Sequence, residues 1–195
     1  MSDTSENKLK ENAMIILYSI ADSSNEVNYN TLKRYLYLYY FTLSFVNKTH
    51  EEESIEVVVE KGDIRIIGFD SALSYFIASN FVEKRENTIV INEELRSFVS
   101  KLISNQNGSL FQKYLVIHPF INILRSYNDQ FVFTIFFNEP TLLSASKRGL
   151  EEIHSTDSRL TSLLSTFKQK VKDDQVDEYD ILAYWIDFVL KYYYS

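Results

Sequence analysis

Between Thr31 and Val46 the chain carries Leu32, Tyr35, Leu36, Leu38, Tyr39, Phe41, Leu43 and Phe45. At 3.6 residues per turn these side chains point to nearly every side of a helix, and a helix apolar all round must be surrounded by protein. The fold therefore has to be built around this segment, and a chain of 195 residues is long enough to do so. A membrane span is excluded, because Lys33 and Arg34 interrupt the run and it falls short of the roughly 20 apolar residues a bilayer needs. The N-terminus, Met1 to Lys8, is polar and shows no secretory pattern. The expectation is a cytoplasmic protein with no membrane contact.

Elements around this helix should be long and regular, since the sequence holds only 4 Gly and 2 Pro. The same scarcity argues against Gly-rich phosphate-cradling loops, and no Walker-type sequence occurs. There is no cysteine, which removes disulfides, thiolate nucleophiles and sulfur-ligated metals together and fits a reducing compartment. Formal net charge is -7. Residues 1–107 contain 11 basic and 16 acidic side chains, the remainder 9 and 11, so neither part is built to neutralise phosphates.

Periodicity places a first helix over Lys10–Ala21, a very short strand at Glu26–Asn28, and the apolar helix after an N-cap at Asn30. Two β-rich runs, Ile55–Glu60 and Asp63–Ile67, flank Lys61-Gly62 as a hairpin. A third helix starts at Phe69–Ser71 and runs to about Asn80. A second hairpin follows over Phe81–Asn92 with its turn at Glu86-Asn87, and then a helix over Glu93–Ile103. Helix, strand, helix, helix, hairpin, helix is the order of a winged-helix domain, with Phe81–Asn92 as the wing. The fold class expected is mainly α with small β (α+β), an N-terminal winged-helix-like domain over 1–104 joined through Asn105–Ser109 to a helical C-terminal domain over 110–195. In that second part Leu110–Tyr127 reads as a helix interrupted at Pro119, and Glu139-Pro140 as a break. Phe131–Phe137 is a strand or a helix, which its pattern does not decide. Two helices close the chain: one with Leu160, Leu163, Leu164, Phe167 and Val171, then, after an acidic turn over Asp173–Asp177, one capped by Asp177.

Chemistry-bearing residues do not gather. His50, His118 and His154 are isolated, and Glu151-Glu152 before His154 does not make a metal site. No serine sits in a nucleophile elbow, and the Glu51–Glu53 run reads as a solvated loop. No catalytic residue, cofactor or metal is expected; an enzyme with scattered groups such as His118 and Glu152 is the reading that motifs cannot address. For DNA reading, the helix in the recognition position, Ser71–Asn80, holds no Lys or Arg, and only Lys84 and Arg85 in the wing offer nucleic-acid contact, between Glu83 and Glu86. The remaining tools are aromatic. Tyr35 and Tyr39 on the central helix, and Trp185, Phe188, Tyr192 and Tyr193 on the last one, are the candidate protein-interaction residues, because Tyr and Trp are favoured interface anchors. Tyr193 and Tyr194 exceed what one buried face can hold.

A small acidic chain with helices at Lys10–Ala21, Asn30–Val46 and Ser71–Asn80, a wing at Phe81–Asn92 and closing helices resembles the middle-component proteins of bacterial three-component ABC systems, including Lamassu-type anti-phage systems. The resemblance lies in architecture, without a short diagnostic motif, so no functional residue is carried over. It implies a non-catalytic accessory or scaffold subunit, bound to an SMC- or Rad50-like ABC ATPase and an effector such as a nuclease, with DNA contacted only indirectly through the complex. The alternative expectation, from the element order alone, is a winged-helix DNA-binding transcriptional regulator.

Overall fold

A computed structural model describes residues 3–47, 53–60, 63–150, 152–171 and 175–194. The turn at Lys61-Gly62, Glu51 and Glu52 of the acidic loop, His50, Glu151, Lys172, and Asp173 and Asp174 of the acidic turn lie outside the described residues. The chain is mainly helical with small sheets, as its periodicity predicts, and it divides into two compact units that do not follow the sequence order. Unit 1 takes Met1–Leu36 and Ile67–Ser126; unit 2 takes Tyr37–Ile66 and Tyr127–Ser195. The expected break at Asn105–Ser109 falls inside unit 1, and the expected 1–104 domain loses its middle to unit 2.

The reason lies in the apolar helix, α2 (Tyr29–Val46). Its residues up to Leu36 belong to unit 1 and those from Tyr37 to unit 2, so one helix contributes to two cores. From Tyr35 to Leu43 every side chain is buried. Asn30 is not its cap. Asn28 is, accepting the Asn30 and Thr31 N–H groups at 2.9 and 3.4 Å, because the helix begins a turn earlier than its apolar pattern.

In unit 1, α1 (Asp3–Ala21) is the central rod, buried along Leu9 and Ala13–Leu17. Around it pack α3 (Phe69–Ala78), α4 (Glu93–Ile103) and α5 (Ser109–Arg125). Pro119 does not interrupt α5. The ring removes only the bond to the Leu115 carbonyl, and Leu115 is exposed, where water can take that role. A sheet of order β1-β5-β4 joins β1 (Glu26–Asn28) to the hairpin β4 (Val82–Arg85) and β5 (Thr88–Ile91), all antiparallel. Alternation sends Val82, Ile89 and Ile91 inward and Glu83 and Arg85 out. α3 ends with Asn80 in the left-handed region (φ 56°) while Phe81 N–H bonds back to the Phe76 carbonyl, a Schellman-type stop that turns the chain into β4.

Unit 2 pairs β2 (Glu56–Glu60) with β3 (Asp63–Ile66) and, on its other edge, with β6 (Glu152–His154), which sequence periodicity did not show. Its helices are α6 (Asp129–Phe137), α7 (Pro140–Arg148), α8 (Arg159–Lys170) and α9 (Glu178–Tyr194). Phe131–Phe137 is thus helical. Asn128 accepts from Phe131 N–H and starts the turn. Glu139-Pro140, expected as a break, is a helix start: Glu139 caps α7 through the Thr141 and Leu142 N–H groups at 2.9 and 2.8 Å, and Pro140 sits where no donor is needed. Tyr37 stacks on Phe41 with ring centroids 4.0 Å apart and meets Phe136 edge-on at 5.0 Å, the aromatic centre of this core.

Candidate docking surface

α9 begins with reciprocal capping. Asp177 Oδ1 accepts the Tyr179 and Asp180 N–H groups at 2.8 and 2.9 Å, and Asp180 Oδ2 accepts the Asp177 N–H at 3.0 Å. Ile181, Leu182, Trp185, Ile186 and Val189 then recur at helical spacing and are buried. The helix packs on α6 and α8; Lys168 Nζ of α8 stands 2.5 Å from Glu178, and the hydroxyl of Tyr127, just ahead of α6, donates to Asp187 at 3.1 Å. Burial, and then that bond to Asp187 and its charge, pushes the Tyr127 phenol up to about 12.

Away from that face, and at the last turn of the helix, aromatic rings are left uncovered. Tyr184 is 61%, Phe188 66%, Tyr192 74%, Tyr193 52% and Tyr194 48% exposed. Tyr184, Phe188 and Tyr192 are spaced i, i+4, i+8 and form one row along the helix. Tyr194 is anchored sideways, its hydroxyl 2.8 Å from Thr134 Oγ1 and its ring 5.0 Å from Phe131.

The expected interaction residues therefore divide. Tyr35, Tyr39 and Trp185 are core residues, nearly closed to solvent, and present no surface; the reason is the full enclosure of α2 and the inward face of α9. Phe188, Tyr192 and Tyr193 are exposed. Tyr184 completes the row and was missed by sequence reasoning, although its spacing from Phe188 and Tyr192 was the signal.

The hairpin residues Lys84 and Arg85 are exposed but engaged within unit 1. Lys84 Nζ lies 4.5 Å from the centroid of the Tyr29 ring, and Arg85 forms two bonds to Glu83 at 3.0 and 2.8 Å. On α3 the exposed side chains are Asp70, Ser71, Ser74, Tyr75, Ile77 and Ala78, so α3 itself offers no cation, and Lys10 of α1, whose Nζ lies 5.8 Å from the centroid of the Tyr75 ring, is paired with Glu6. Tyr75 and Phe98 flank Phe81, with the Phe81–Phe98 centroids 5.0 Å apart.

His118 belongs to unit 1, where its ring lies tilted against Tyr114 with centroids 4.8 Å apart and bonds Asn122 at 2.9 Å; Glu152 belongs to unit 2. A cleft of about 330 Å³ in unit 2 is lined by Ser144, Arg148, Glu152, His154, Asp157 and Arg159 among others, with acids and guanidinium groups offsetting one another. Among the described residues no group of three His, Asp or Glu could hold a metal ion, and no helix is long and apolar enough to cross a membrane.

The chain matches no family model, and no significantly similar curated protein or solved structure was found.

Proposed function

We propose that this chain is a non-catalytic protein-docking subunit that works through the aromatic row of α9. The observation carrying this reading is the exposure of Tyr184, Phe188 and Tyr192 on one helix face. Exposed aromatic patches of this kind, when contiguous, mark interaction sites on soluble proteins. Unit 1 supports a winged-helix-like reading, with strands ordered β1-β5-β4 and α3 leading into the hairpin. That fold, the acidic charge of -7 and the closing helices are the basis for placing the chain as an accessory subunit beside an SMC- or Rad50-like ABC ATPase and a nuclease-type effector in bacterial phage defence, inside the cytoplasm. ATP hydrolysis and cleavage would then belong to the partners.

The test is co-expression with genomic neighbours. The chain should co-purify with a larger ATPase, and Phe188→Ser with Tyr192→Ser should release it. Recovery as a lone chain beside those neighbours overturns the reading. DNA regulation is the second reading, motivated by the element order of unit 1, and it is weakened by an α3 that carries no Lys or Arg and by Lys84 and Arg85 being engaged with Tyr29 and Glu83.

A further inference from the structure

We infer that the cleft of unit 2 binds a small dipolar ligand, one carrying a carboxylate and an ammonium group as amino acids and short peptides do. None of the described α9 residues lines the cleft, so its role is independent of the docking surface.

The cleft is built by three neighbouring pieces of chain. Thr141, Ser144, Ala145 and Arg148 recur at i, i+3, i+4 and i+7, so a single face of α7 forms one wall. α7 ends at Gly149 in the left-handed region (φ 64°), where the Leu150 N–H bonds back to the Ala145 carbonyl and the chain turns toward β6. On β6, alternation buries Ile153 and puts Glu152 and His154 together on the exposed side. Asp157 and Arg159 complete the lining at the start of α8.

These pieces are tied down. Arg159 N–H donates to Thr141 Oγ1 at 2.9 Å, which joins the start of α8 to the first turn of α7. Ile55 N–H donates to Ser155 Oγ, and Ser155 N–H to the Ile55 carbonyl, both at 3.0 Å. The cleft is therefore preformed. At about 330 Å³ it lies at the small end of the range for small-molecule sites.

Its charges are held in an unusual state. Arg85 and Arg96 pair with Glu83 and Glu93, Arg125 donates to the Ser19 carbonyl at 2.9 Å, and Arg34 and Arg65 also have partners. Among the described residues, Arg148 and Arg159 are the arginines whose side chains make no hydrogen bond or ion pair, and both line this cleft. Glu152 and Asp157 line it too, without pairing with either. A guanidinium keeps its fork of donors for a carboxylate, which it matches in shape and charge. The two carboxylates offer acceptors to an ammonium group and repel a ligand that is only anionic. Two cations set against two anions thus select a molecule that carries both signs.

The experiment is isothermal titration of the full chain with each standard amino acid and with alanyl-alanine, up to about 10 mM so that millimolar dissociation constants are covered. The wild type should bind at least one of them, and should bind inorganic phosphate about tenfold more weakly or not at all. Tighter binding of either class supports the site and identifies the source of the paired charges. Arg148→Ala and Arg159→Ala should each weaken binding about tenfold or more, the loss of one charge-assisted contact. Both side chains are exposed, and Arg159→Ala keeps its main-chain bond to Thr141, so the thermal melt without ligand should not move. Glu152→Gln with Asp157→Asn should turn the preference toward phosphate. A wild type that binds none of the amino acids or the peptide, phosphate bound as tightly as the best of them, binding indifferent to both arginine substitutions, or a double variant that keeps the wild-type preference overturns the inference.

Discussion

The hydroxyl of Tyr37 donates to Oε2 of Glu139 at 2.6 Å, joining residues 102 positions apart inside the core of unit 2, where both side chains are closed to solvent. Glu139 also accepts the Thr141 hydroxyl at 2.7 Å and the Thr141 and Leu142 N–H groups, so its buried carboxylate is met by donors on both oxygens. A buried carboxylate is tolerated on those terms. The arrangement explains why a Glu can precede Pro140 in an apolar core: it caps α7 and ties that cap to α2.

Tyr37→Phe should cost about 1.5–3 kcal/mol, the range for a bond to a charged group, and Glu139→Ala about 3 kcal/mol or more, because it strands the α7 N–H groups and the Tyr37 hydroxyl together. A double-mutant cycle in urea should return a coupling of about 1–3 kcal/mol. Additive effects would show that the two residues act independently.

Alkaline pH should attack unit 2. Burial, with the charge and hydrogen bond of Glu139, holds the Tyr37 phenol well above its ordinary value, and burial does the same for Tyr39. Tyr127 and Tyr179 are raised to about 12, Tyr179 by burial and then by Asp177 and Glu178. The folded state therefore favours the neutral phenols. Their contribution is complete below the unfolded value near pH 10 and is lost as pH climbs through the raised folded values. Tyrosinate absorbance should rise in two phases above pH ~10, the later one coinciding with loss of helical circular dichroism. A single phase with the fold intact would contradict this.

Trp185 and Phe188 are neighbours on α9 with opposite surroundings. Trp185→Ala should cost about 3–5 kcal/mol by opening a cavity, whereas Phe188→Ala should stay within about 0.5 kcal/mol, as exposed positions do. Equal costs measured by chemical denaturation would mean that Phe188 packs within the chain.

Duplex DNA at low salt should show no mobility shift, and Lys84→Glu or Arg85→Glu should change nothing. A salt-dependent shift lost in Lys84→Glu would move the chain toward the regulator reading.

Much of this fold is legible from spacing alone. α2 and α9 announce themselves by aromatic and aliphatic periodicity, the Asp177 cap by its place before the last helix, and both hairpins by paired β-rich runs. What spacing does not carry is long-range. β6 is a three-residue strand whose identity depends on pairing with Val57, nearly a hundred positions away. Glu139-Pro140 looks like punctuation until its hydrogen bonds are known. The aromatic surface was legible only in part, because Trp185 and Phe188 belong to one run of apolar letters and only the packing of α6 and α8 decides which side faces out. Tyr35 and Tyr39 illustrate the same limit: a helix that is apolar all round does not reveal whether it is enclosed by its own chain or by a partner.

The path of the chain through α2 has a practical corollary. Because the backbone changes unit at Leu36, at Ile66 and at Ser126, no single cut yields an intact half. A fragment ending near residue 104 would keep Tyr37, Tyr39, Tyr40 and Phe41 while discarding the α6–α9 residues that belong to their unit, and would be driven to aggregate. Dissecting this protein calls for rerouting its connections by circular permutation, not for scissors at a linker.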